Sequence, residues 1–118
     1  MGIEEIVDFI VKYSPYKDRE LIKQYIELHI KYKTCIVVYE GNEIIAVARW
    51  NISPSGTIAF VLDTIIKEGY RNNGMMIKLI EKGTSIWKSV KYLAWERGWK
   101  YPDREQKIYS LKQLLKRR

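Results

Sequence analysis

Glu68-Gly69-Tyr70-Arg71-Asn72-Asn73-Gly74-Met75-Met76 is the stretch whose reading decides the fold. Before it, Thr57 to Lys67 is a long β-branched and apolar run that predicts a strand. After it, Met75 to about Lys88 carries Met76, Leu79, Ile80 and Trp87 at helical spacing, with Gly83 weakening the later turns. A strand that passes through a glycine-containing loop into a helix leaves several backbone N–H groups free at the helix start. Those donors and the positive end of the helix dipole make an anion site suited to pyrophosphate.

Working outward, Thr34–Tyr39 and Ile44–Ile52 read as two more strands around a hairpin turn at Glu40-Gly41-Asn42-Glu43. A second turn at Ser53-Pro54-Ser55-Gly56 leads into the long run, so the three strands form an antiparallel meander. On the N-terminal side, Ile3, Ile6, Val7, Ile10 and Val11 lay one apolar stripe along a helix that Ser14-Pro15 ends. A second helix is expected from Pro15 to about Lys33, with Ser14 as N-cap and Leu21, Tyr25, Leu28 and Tyr32 on one face. On the C-terminal side, Val90 to Arg97 reads as a strand. Gly98 and Pro102 follow, and Asp103 caps a last helix striped with Ile108, Leu111, Leu114 and Leu115.

Composition narrows the class. Residues 1–118 read as one α+β domain, long enough to bury a core. A single Cys35 and a single His29 provide neither a disulfide framework nor a zinc site, and Cys35 in its apolar run reads as a small buried hydrophobe. No apolar run approaches the roughly 18 residues that span a bilayer, and no signal-peptide pattern opens the chain, so a cytoplasmic domain without membrane attachment is expected. The net charge is +7, and residues 97–118 hold eight basic and two acidic side chains, net +6. Such an end attracts a phosphorylated ligand, nucleic acid or an acidic partner.

Arg71-Asn72-Asn73-Gly74-Met75-Met76, with Asp63-Thr64-Ile65-Ile66 before it and Ile77-Lys78-Leu79-Ile80 after it, resembles the signature of the GNAT superfamily of N-acetyltransferases. That signature is Arg or Gln, two variable residues, Gly, one variable residue, then Gly or Ala; Met76 stands at the last position. The order of the elements over residues 15–112 is similar too. The resemblance implies a mixed sheet, an antiparallel meander plus one parallel strand pair, flanked by helices. It implies acetyl-CoA as cosubstrate and an amine acceptor. Pyrophosphate contacts would come from the amides of Arg71, Asn72, Asn73, Gly74, Met75 and Met76, and pantetheine contacts from the backbone near Ile65 and Ile66. Tyr109, in the place of the family's aromatic–Tyr pair, is the implied general acid, and Arg104 matches an Arg found before it.

Acetyl transfer to an amine needs the amine neutral and a proton for the departing thiolate. Asp63 interrupts an apolar strand, so it is the candidate base, with Glu96 as second choice; pairing with an Arg is the other fate of such a carboxylate. The chain reaches Arg118 without the two further strands that such proteins carry, which leaves an edge for a homodimer to pair across. The alternative is a non-catalytic module. Its aromatic and basic segment Trp95–Arg104 would then bind nucleic acid by stacking and phosphate contacts, or bind a protein partner.

Overall fold

The computed structural model describes residues 2–71, 74–96 and 106–116. Helix α1 (Ile3–Tyr13) and helix α2 (Arg19–Lys31) precede strands β1 (Cys35–Glu40), β2 (Glu43–Ile52) and β3 (Ile58–Ile66). Helix α3 (Met75–Ile86), β4 (Tyr92–Glu96), β5 (Gln106–Ser110) and the short α4 (Leu111–Leu115) follow. The sheet order is β1-β2-β3-β4-β5, antiparallel throughout except for the parallel pair β3–β4. The α3 crossover makes that parallel pair, because two parallel neighbours cannot be joined by a hairpin.

The sheet has an apolar layer on each face. Ile6, Val7 and Ile10 of α1 and Ile22 and Ile26 of α2 pack on Val37, Val47 and Ile65. On the opposite face Met75, Leu79 and Ile80 of α3 pack on Ile36, Val38, Trp50 and Leu93. The expected meander and central helix are both present. Gly83 has a specific task there, since a Cβ on it would lie 2.1 Å from the Trp50 ring.

Three expectations change. Ser14 ends α1 instead of starting α2: its N–H and hydroxyl both donate to the Ile10 carbonyl, and Asp18 caps α2 by accepting from the Leu21 N–H. Leu21, Tyr25, Leu28 and Tyr32 do share a face, but the face is outward, each being 45–57% exposed, while Ile22, Ile26 and His29 are buried. The third change is the last helix. Residues 106–110 form a strand antiparallel to β4, and the helix starts only at Leu111, where Ser110 and Gln113 make a reciprocal capping box. Alternation across a pleated strand sets Tyr109 beside Trp95 and leaves Ile108 exposed, so Ile108 is not part of the helical stripe. The proposed cap Asp103, and Arg104, lie outside the described residues.

His29 sits in the α1–α2 layer with its Nδ1 2.7 Å from the Thr34 hydroxyl. Burial first, and then the nearby Arg49 charge, hold its pKa below the ordinary 6.5 against the opposing pull of Asp63. A depressed folded value means that the unfolded chain takes up the proton first as pH falls. This contribution to stability is therefore complete above about 6.5 and shrinks below it, by at most about 1.4 kcal/mol per pH unit. Urea melts at pH 7.5 and 5.5 are expected to show the lower midpoint at 5.5, and His29→Gln to remove most of the difference. Equal midpoints in the wild type would show that His29 is not linked to folding.

Candidate active site

The sequence 61–66 makes the site by leaving its neighbour. Among the described residues Ile58–Val61 of β3 pair with Tyr92–Trp95 of β4, while β3 stays paired with β2 up to Ile66. Among the described residues no pair between β3 and β4 follows Val61–Trp95, so β3 from Leu62 to Ile66 is paired there on its β2 side alone. A bulge falls at the same point. Arg49 opposes Asp63 and Trp50 opposes Val61, so Leu62 is an extra residue and the pleat reverses its phase. Ala59 and Val61 consequently face the α3 layer, whereas Asp63 and Ile65 face the α1–α2 layer.

This stretch of β3 carries main-chain groups that β2 does not use. The Lys67 N–H donates to the Ile45 carbonyl on β2. By the two-residue alternation of a strand, Ile65 also turns its main chain to β2, and Thr64 and Ile66 turn theirs outward. Arg71 confirms the direction at Ile66, since its Nε–H donates to the Ile66 carbonyl at 3.1 Å. The loop is pinned to the β1–β2 turn at two points: Tyr70 hydroxyl donates to Glu40 at 2.7 Å, and Lys67 pairs with Glu43.

At the end of this stretch stands the start of α3. Gly74 is its N-cap at φ 93°, a left-handed conformation that suits glycine, and it offers no side chain to cap the helix. The first intrahelical bond runs from Lys78 N–H to Gly74 carbonyl, so the amides of Met75, Met76 and Ile77 have no intrahelical acceptor. The first turn contains no acidic residue to neutralise the dipole. Arg71, Met76, Ile66, Thr64, Asp63 and Tyr16 line one cleft of about 620 Å³ along β3. The structure thus brings Asp63, Ile65, Ile66, Arg71 and Met76 to one cleft, while Gly74 and the buried Met75 open α3 just before Met76. Asn72 and Asn73 lie outside the described residues.

A second cleft of about 370 Å³ adjoins it over the α1–α2 face, sharing Tyr16, Asp63 and Ile65. Its floor is an ion pair. Arg49 Nε–H reaches both Asp63 oxygens at 3.0 Å, and a terminal nitrogen reaches Oδ2 at 2.5 Å, with the two side chains 18% and 17% exposed. Tyr25 stacks over the Arg49 guanidinium at 5.0 Å. Asp63 therefore takes the fate of a carboxylate paired with Arg. Tyr16, common to both clefts, has no signal in its residue type; the Ser14-Pro15 break before it is what marks its position in the sequence.

Tyr109 lies on the opposite face. It is paired with Leu93 on β4 and meets the Trp95 ring edge-on at 5.7 Å. Glu96 is the last residue of β4, and its side chain lies outside the described residues. Of the aromatic and basic segment, Trp95 packs against the α3-side core, and residues 97–105 lie outside the described residues. Burial pushes the Cys35 thiol up to about 11, which leaves it protonated and unreactive at neutral pH. No helix among the described residues is long and apolar enough to cross a membrane.

A five-stranded mixed sheet whose parallel pair β3–β4 is joined through a helix that starts at Gly74 is an α+β fold of the acetyltransferase type. The sequence matches the Acetyltransferase (GNAT) family over residues 3–98, and the chain belongs to that family. Three solved structures share its fold at low identity. An acetyltransferase-type protein of Pyrococcus horikoshii aligns with TM-score 0.62 at 16% identity over 82% of this chain and 35% of that one. An aminoglycoside 6'-N-acetyltransferase complexed with coenzyme A gives 0.63 at 12% over 80% and 54%. The GNAT-like decarboxylase GphF, in complex with isobutyryl-CoA, gives 0.59 at 13% over 85% and 64%. The chain thus spans between about a third and two thirds of these proteins. No curated protein matches the sequence.

Proposed function

We propose that this chain transfers an acetyl group from acetyl-CoA to an amine. The observation that carries the reading is the meeting of two features at one cleft: the stretch of β3 after Val61, which has no β4 partner among the described residues, and the start of α3, where Gly74 gives no side-chain cap. An acyl-CoA needs both, main-chain partners for its amide-bearing arm and N–H donors for its pyrophosphate. Arg71 adds a cation beside those donors, and Asn72 and Asn73 complete the loop. Ile66 and its outward-facing neighbours would align the arm, and Ile65 would wall the cleft.

Bound acetyl-CoA supplies an activated thioester; the protein orients the amine and moves protons. The adjoining cleft between α2 and the sheet is the proposed amine approach, with Tyr16 at the junction. Asp63 is the proposed base there. Because Arg49 holds both its oxygens, its main contribution is to orient the amine through a remaining lone pair. Tyr109 is the proposed donor to the departing thiolate, on the other face of the sheet, and Glu96 at the end of β4 is the reserve base.

The test is a turnover assay following free CoA thiol with a panel of amines. Wild-type protein is expected to release thiol only when an amine acceptor is present. Tyr109→Phe is expected to lower kcat by about 100-fold, the scale of a general acid, with acetyl-CoA affinity nearly unchanged. An unchanged kcat would clear Tyr109 of the role, and thiol release independent of any amine would overturn the transfer reading.

A further inference from the structure

Thr64 sits on β3 midway between the Leu62 bulge and Ile66, and it lines the same cleft as Met76. Its Oγ1 is buried and is the one such side-chain polar atom without a hydrogen-bond partner among the described residues. Buried hydroxyls are nearly always paired, because leaving one unpaired forfeits its hydration with nothing in exchange. Other hydroxyls in this chain follow that rule: Ser14 donates to Ile10, Thr84 to Ile80, and Thr34 meets His29. An orphan at this particular place needs its own explanation.

We infer that the Thr64 hydroxyl is a binding group for the pantetheine arm of acyl-CoA, which supplies the partner that the protein lacks. The inference rests on the acyl-CoA reading above. A strand advances about 3.3 Å per residue, so Thr64 lies roughly 7 Å along β3 from Ile66 and a similar distance from Leu62. The arm runs from a pyrophosphate at the α3 start toward the β3–β4 pairs, and so passes Thr64 with its amides. A hydroxyl can donate to an amide carbonyl or accept from an amide N–H, so it serves either group. Met76 lines the same cleft, and its unbranched side chain can repack when the arm enters.

The experiment compares wild type, Thr64→Val and Thr64→Ser by calorimetry with acetyl-CoA and with adenosine 3′,5′-bisphosphate, which lacks the arm, alongside thermal melts of the free proteins. Valine keeps the shape and removes the orphan, so the free variant is expected to melt at or above the wild-type temperature. Its acetyl-CoA affinity is expected to fall about 5–10-fold, the scale of one lost hydrogen bond, with the bisphosphate affinity unchanged. Serine retains the hydroxyl and is expected to bind acetyl-CoA within about twofold of wild type. Equal acetyl-CoA affinity of wild type and Thr64→Val would overturn the inference while leaving the acyl-CoA reading intact. A wild type that binds the bisphosphate but gains nothing from the arm would also overturn it. Absence of any binding by the wild type would overturn the acyl-CoA reading itself.

Discussion

Gly83→Ala is expected to destabilise the protein by about 2 kcal/mol, although alanine is the better helix former by about 1 kcal/mol. The reason is Trp50. Its ring is 2% exposed, and an added Cβ would stand 2.1, 2.4 and 2.7 Å from three of its atoms. An indole is rigid and is held in the α3-side core among Leu79, Ile80 and Leu93, so neither it nor the helix can give way cheaply. Thermal melts should show a drop of several degrees, at roughly 4 °C per kcal/mol for a chain of this size. Trp50→Phe combined with Gly83→Ala should recover part of the loss. A variant Gly83→Ala that melts above wild type would mean that α3 does not lie against Trp50, and the start of α3 would not stand where the site requires it.

Met76→Glu is expected to remove most acetyl-CoA binding, by about 10–100-fold, while leaving the fold nearly as stable. The two effects have one origin. A carboxylate in the first turn of α3 interacts favourably with the helix dipole, which offsets the lost packing of a partly buried Met. The same carboxylate claims the N–H donors and repels the pyrophosphate from them. Met76→Ala serves as the control: it opens the cleft without adding charge, so affinity should hold or improve while the melting temperature falls slightly. Unaltered affinity in Met76→Glu would detach the α3 start from the cosubstrate.

The sequence carried much of this arrangement because its central part has clear periods. The β-branched and apolar runs within residues 34–67 and the turns around Gly41 and Gly56, both at positive φ, marked the meander. The loop from Glu68 to Met76 was legible because its glycines separate a strand pattern from a helix pattern. Other features depend on pairing, which no local pattern encodes. Period marks α2 as a helix, but apolar residues stand on two of its faces, so Leu21 and Tyr25 compete with Ile22 and Ile26 for the core and the register against the sheet decides. The β5 strand is five residues long, and Ile108 fits a helical stripe with Leu111 as well as it fits alternation with Tyr109. The bulge at Leu62 is set by how β3 lies against β2, yet it turns Asp63 toward Arg49 and away from the face that holds Tyr109. The pair of candidate acid and base was therefore legible as residue types but not as a geometry.

The most direct measurement is an isothermal titration of the wild-type protein with acetyl-CoA. Saturable one-to-one binding, weakened by Met76→Glu, is the predicted result. No heat and no thermal shift at millimolar acetyl-CoA would contradict the account, because the cleft along β3 and the first amides of α3 would then hold no acyl-CoA at all.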